Sequence, residues 1–234
     1  MNEKEIRSCL IEYLSNKHEP SNTVFISELF VNNFSCRADL VMANGQLSVF
    51  EIKSKLDTLD RLPTQVEHYT SSFENVVVVC AEKHIDKVLN TYDSSIGVWL
   101  IRDNGQIIVK RRSNKINLNV SSWLMHLSVS ELKNLLKLNK IPSSGNRGEL
   151  LSKVQKGIPK YKIRAYVLSY FKNRQEKILK LKQNKLKNLN KSSSILTTGL
   201  ILEDSPINLK ELTILPRRTK TNPNPRPIPV RLRS

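Results

Sequence analysis

Residues 37–54 read RADLVMANGQLSVFEIKS. Two largely apolar stretches, Arg37–Ala43 and Gln46–Ser54, flank Asn44-Gly45, a pair that tolerates the left-handed backbone of a tight turn, so the segment predicts a β-hairpin. Side chains alternate along a strand, which puts Glu51 and Lys53 on one face. Val49, Phe50 and Ile52 surround them with apolar neighbours, as expected for a strand buried on both faces. A buried carboxylate costs roughly a few kcal/mol unless it is paired or metal-bound. The side on which Asp39 falls depends on the turn. A two-residue type I′ turn pairs Asp39 with Phe50 and sends it to the opposite face from Glu51. A three-residue loop, Ala43-Asn44-Gly45, with Gly45 left-handed, pairs Asp39 with Val49 and restores a shared face, and that loop or a bulge elsewhere in the hairpin is expected.

Working outward, residues 3–16 carry Ile6, Leu10, Tyr13 and Leu14 on one helical stripe. A strand is expected at Val24–Val31 and a helix from Thr58 to about Phe73, with Asp60 as N-cap and Pro63 in its first turn. The unbroken apolar run Val76–Ala81 reads as a buried strand, His84–Tyr92 as a short helix, and Gly97–Arg102 with Gln106–Lys110 as a closing hairpin around Asn104-Gly105. The order α-β-β-β-α-β-α-β-β describes an α/β body, a mixed sheet flanked by helices, over residues 1–115.

Two carboxylates beside an ammonium group suit phosphodiester chemistry assisted by Mg²⁺ or Mn²⁺. Asp39, eleven residues, then Glu51-Ile52-Lys53 resembles the signature of the PD-(D/E)XK nuclease superfamily, with Ala38 in place of the usual proline. The continuation EIKSKLDTLDRLPTQVEHY (51–69) is similar to small bacterial and phage nuclease-like proteins. The resemblance spans roughly residues 4–110 and implies a restriction-endonuclease-like core. It implies metal ligation by Asp39, Glu51 and the Ile52 carbonyl, with Glu28 as an additional acidic ligand and Lys53 as the catalytic lysine. Gln65 and Tyr69, four apart on the next helix, resemble a Gln/Tyr pair that supports such sites. The expectation is therefore a metal-dependent deoxyribonuclease of phage, mobile-element, restriction or repair setting. The alternative is a non-catalytic DNA-binding protein that keeps the fold.

Behind the body, LSVSELKNLLKLNKIPSSGNRGELLSKV (127–154) has a capping box at Ser128 and Glu131, then apolar stripes at Leu132, Leu135, Leu136 and at Leu150, Leu151, Val154. It resembles the SAP motif, a helix–extended turn–helix unit that binds DNA, placed here at 127–156. Gly145-Asn146-Arg147 leads into a helix N-terminus able to offer N–H groups to a phosphate, with Lys133, Lys137 and Lys140 adding charge. A small helical hairpin for protein contact is the other reading. Residues 159–191 form a lysine-studded helical segment, and 192–234, with prolines at 216, 223, 225, 227 and 229, read as a disordered or extended basic tail.

Charge follows the same division. Of the formal net charge of +17, residues 1–126 hold 14 basic against 15 acidic side chains, and residues 127–234 hold 24 against 6. A neutral front and a basic rear suggest a polyanion partner, DNA, with a solvated tail as the bland reading. Cys9, Cys36 and Cys80 have no metal-ligand spacing and read as thiols of a reducing compartment. The four histidines lack ligand spacing, and GxSxG, GxxxxGK[ST] and GxGxxG are missing. No apolar run is long enough for a membrane span, so a cytoplasmic protein is expected, with a homodimer as one option.

Overall fold

The computed structural model describes residues 1–31 and 36–174. The tail at 192–234 and the second half of the 159–191 segment lie outside the described residues. The element order is α1 (Glu3–Ser15), a 3₁₀ turn (Pro20–Asn22), β1 (Val24–Val31), β2 (Cys36–Ala43), β3 (Leu47–Lys53), α2 (Leu62–Thr70), β4 (Asn75–Cys80), α3 (Glu82–Thr91), β5 (Ile96–Ile101), β6 (Ile107–Arg111), α4 (Val120–Met125), α5 (Val129–Leu138) and α6 (Arg147–Gly157). Residues 160–174 add a further helix, α7.

The six strands form one mixed sheet in sequential order, antiparallel at β1–β2, β2–β3 and β5–β6 and parallel at β3–β4 and β4–β5. Helices α2 and α3 are the crossovers that the two parallel pairs require. Every residue of β3 is buried, as its apolar flanks predict. One face of the sheet is covered by α1 through Ile6, Leu10 and Leu14. The other face packs under α2, α3 and the rear helices, and one apolar cluster runs without a break from Val49, Tyr69 and Phe73 to Trp123, Leu135, Val154 and Phe171. The body and the described rear helices therefore share a core.

That union is fixed by a polar clamp as well. The Glu74 carboxylate, 2 % exposed, receives Arg164 Nε and Nη2 at 3.0 Å each and Leu47 N at 3.1 Å, with Lys115 Nζ 3.1 Å away. Arg164 Nη2 also donates to the Gly45 carbonyl at 2.7 Å, which ties α7 to the β2–β3 turn.

Two local expectations shift, and one helix is unanticipated. The hairpin loop has three residues, but they are Asn44-Gly45-Gln46, flanked by the Ala43–Leu47 pair, with Gly45 at φ +91°. Helix α2 begins at Leu62 rather than Thr58, and its N-cap is Arg61 with no side-chain bond, not Asp60; Pro63 lies in the first turn, as expected. Helix α4, only six residues long, is too short to show periodicity, and Asn119 caps it by accepting from Ser122 N.

Candidate functional site

The hairpin register decides which side chains meet. Carried down from Ala43–Leu47, it sets Asp39 opposite Glu51, yet the β2–β3 ladder ends one pair earlier, at Leu40–Phe50. The β1–β2 ladder also skips Asp39: Ser27 pairs with Leu40 and Leu29 with Ala38, while Glu28, between them, takes a left-handed φ of +56°. Asp39 thus sits in a gap shared by both ladders. Its Oδ2 accepts the Ile52 N–H at 2.7 Å, so the carboxylate replaces a backbone partner at the point where the strands separate.

Glu51, 1 % exposed, and Lys53, 5 % exposed, lie two apart on β3 and face α2. Lys53 Nζ donates to Glu51 Oε1 at 2.8 Å and to Gln65 Oε1 at 2.9 Å. Tyr69, one turn beyond Gln65, donates to Glu51 Oε2 at 2.7 Å; its oxygen also lies 3.2 Å from the Arg37 carbonyl and 3.4 Å from Cys36 Sγ. Burial, then the Glu51 charge, drives the Tyr69 phenol far up, so it remains a proton donor. The Asp39 carboxyl is pushed up to about 7, by burial first and by Glu51 second.

Asp39, Glu51, Lys53 and Gln65 floor a cleft whose walls include Glu3, Arg37, Asp57, Asp60, Arg61 and His68. The fold brings Asp39, Glu51, Lys53, Gln65 and Tyr69 together. It holds Glu28 in a different set of bonds, to Arg7 Nη1 at 3.1 Å and Arg37 Nη1 at 3.0 Å. Both Glu51 oxygens are already bonded, and among the described residues no group of three or more His, Cys, Asp or Glu is placed to hold a metal ion. Of the oxygens expected to hold a magnesium or manganese ion, those of Glu51 are engaged by Lys53 and Tyr69 and Oδ2 of Asp39 by the Ile52 N–H. What remains is a satisfied buried ion pair beside one carboxyl able to exchange its proton near neutrality.

The rear residues separate by role. Lys137 and Lys140 are exposed and Lys133 is half-buried. Arg147 Nη1 donates to the Leu127 carbonyl at 2.9 Å, which brings the start of α6 beside the start of α5. The turn at Gly145 is occupied from within. A Cβ there would lie 2.1 Å from Glu149 Oε2, φ is +116°, and Asn146 exchanges bonds with Glu149 in both directions. Asn146 caps α6, and the Glu149 side chain lies beside Gly145. Sequence reasoning missed the Glu74–Arg164 clamp, since a contact across 90 positions leaves no local pattern.

Two of the histidines pack into the body. His84 is buried, with Nε2 3.2 Å from the Ser54 carbonyl. His126 lies between Phe73 and Phe171, with ring centroids at 5.4 and 5.2 Å, and burial pushes its pKa down to about 4. Cys9, Cys36 and Cys80 are free thiols. Among the described residues no helix is long and apolar enough to cross a membrane.

Comparison with known proteins overturns the nuclease expectation. The family model that matches residues 1–197 is that of Bacteriophage P4 protein cII. Protein cII of Enterobacteria phage P4 is 38 % identical over 180 residues, covering 74 % of this chain and 68 % of its own length. No solved structure matches. The D-x₁₁-ExK resemblance therefore does not make this chain a PD-(D/E)XK nuclease, and the expectations of a deoxyribonuclease, a hydrolase and a magnesium-dependent endonuclease fall with it. Of the settings read from the sequence, the phage one is supported. The three spaced residues survive as a geometric cluster, and the fold stands as a mixed α/β unit with a six-stranded sheet. The chain belongs to the Bacteriophage P4 protein cII family.

Proposed function

We propose that the protein binds DNA without cutting it, through the basic surface of its rear helices. One observation carries the reading. Residues 127–174 hold 11 basic against 2 acidic side chains, and no ion pair among the described residues engages Lys133, Lys137, Lys140, Lys156 or Lys162. Basic groups held on rigid helices with no carboxylate partners present unneutralised charge to a polyanion. The α5–α6 pair supports the helix–extended turn–helix reading of 127–156, with Arg147 oriented by the Leu127 carbonyl. In the front cleft, Glu51 is satisfied by Lys53 and Tyr69, which favours a structural use of that cluster.

The test is fluorescence anisotropy of the full chain on a short labelled duplex across a salt series. Log affinity should fall linearly with log salt, by about 0.9 for each phosphate contact. Lys137→Glu with Lys140→Glu should weaken binding at every sequence tried and flatten that slope. Binding that ignores salt, or an unchanged slope in the double variant, counts against the reading.

A further inference from the structure

A second cleft lies apart from Asp39 and Glu51. It is bounded by the end of β1, the turn after α4, the first residue of α6 and the last described turn of α7. Its volume is about 340 Å³, within the range used by small-molecule sites. Two properties set it off from the front cleft. Among the described residues no carboxylate lines it, whereas Arg147 and Arg174 both do. Its walls also present ring and thioether surface from Phe30, Met125 and Tyr170, with Phe30 at 53 % and Met125 at 43 % exposure.

Arg147 is held by one bond to the Leu127 carbonyl, which leaves most of its five donors for a ligand. Arg174 is exposed and joins no ion pair among the described residues. Flat hydrophobic surface beside two guanidinium groups that no described carboxylate opposes matches a ligand that is aromatic and anionic at once. A nucleotide whose base has left the stack has both properties, because its ring packs on aromatic side chains while its phosphate accepts from arginine. A base inside a duplex offers no free face to Tyr170. An acidic peptide would satisfy the arginines and leave the ring surfaces unused.

We infer that this cleft takes one unstacked nucleotide of single-stranded or locally opened DNA, with the base against Tyr170 and Met125 and the phosphate at Arg147 and Arg174. The inference rests on the DNA-binding reading and adds to it a preference for unpaired nucleotides. It requires no chemical step.

The experiment compares a short labelled oligothymidylate with a blunt duplex, using the full chain and three variants: Tyr170→Ala, Tyr170→Phe and Arg174→Gln. Tyr170→Ala and Arg174→Gln should each weaken single-strand binding about tenfold. Tyr170→Phe keeps the ring and should bind the single strand as the native chain does. Arg174→Gln, at an exposed position, keeps the test independent of any folding defect in Tyr170→Ala. A 4-thiothymidine in the oligonucleotide should photocrosslink to Phe30, Met125 or Tyr170. If the native chain binds the duplex, but both weakened variants hold the single strand as tightly as it does, the nucleotide site is overturned and the DNA-binding reading stands. Crosslinks confined to residues outside the cleft, or capture of an acidic peptide with no binding of the oligonucleotide, also overturn it. If neither DNA probe binds the native chain, the parent reading fails first.

Discussion

Asp39 Oδ2 accepts the Ile52 N–H at 2.7 Å where the β2–β3 ladder has just ended, so a side chain completes what the backbone leaves open. The arrangement needs Asp39 outside the regular pairing on both sides. Left-handed Glu28 on β1 opens one side and the separation of β3 opens the other. The same placement buries the carboxyl beside Glu51, so the bond that finishes the sheet also creates an electrostatic cost.

Asp39→Asn should therefore stabilise the protein at alkaline pH. An acid whose folded pKa is raised binds more protons in the folded state, so its stability contribution is intact below the unfolded value and is lost as pH rises through the folded one. With the ordinary value at 3.8 and the folded value near 7, the loss develops between about pH 4 and pH 7. Asparagine can accept the Ile52 N–H without a charge. Urea unfolding should show the variant more stable by roughly 1–4 kcal/mol at pH 8 and level with the native chain near pH 3. Parallel pH profiles for the two proteins would contradict this account.

The Lys53–Glu51 pair makes a second prediction. Lys53→Met leaves a carboxylate at 1 % exposure with Tyr69 as its only side-chain donor among the described residues and should cost about 3–5 kcal/mol. Adding Glu51→Gln removes the stranded charge and should recover much of that loss. A double-mutant cycle with no coupling would show that the pair is not acting as a unit.

Much of this is legible in the sequence, and the reasons differ by element. The run Val76–Cys80 and the doubly apolar β3 announce themselves because a buried parallel strand needs no polar face. The shared face of Asp39 and Glu51 follows from the parity of a three-residue turn, although the loop lies one residue later than expected. Helix α4 and the Arg61 N-cap are illegible, since six residues give no period and Arg61 lacks a capping side chain. The chemistry is misread for a different reason. Asp, Glu and Lys at that spacing specify a buried cluster, and a cluster satisfied by Tyr69 and Ile52 can serve structure as well as catalysis.

The Glu74–Arg164 clamp should govern whether the rear helices stay docked. Arg164→Ala leaves Glu74 buried with Lys115 and the Leu47 N–H, and should cost about 3–5 kcal/mol in unfolding. Arg164 and the other donors hold the Glu74 pKa below its ordinary value despite burial. Its contribution is thus present above the unfolded pKa, near 4.5, and is lost as pH falls through the lowered folded value. The destabilisation by Arg164→Ala should accordingly be large at pH 7 and shrink in strong acid. Equal effects at both pH values would assign the loss to packing of the arginine stem.

The rear helices and the chain beyond residue 174 should contribute separately to DNA binding. Residues 175–234 carry 13 basic against 4 acidic side chains, while 127–174 carry 11 against 2. Each phosphate contact contributes about 0.9 to the log–log salt slope on duplex DNA, whichever segment supplies it. A chain ending at Arg174 keeps the shared core, the Glu74–Arg164 clamp and the basic residues of α5, α6 and α7. It should unfold as the full chain does and still bind a duplex, with weaker affinity and a shallower slope. Charge reversal at Lys137 and Lys140 in that shortened chain should lower the slope further, because the two groups of contacts lie on different segments and add. If the shortened chain loses all salt-dependent binding, the rear helices are not a DNA surface, and the basic charge that matters lies beyond residue 174.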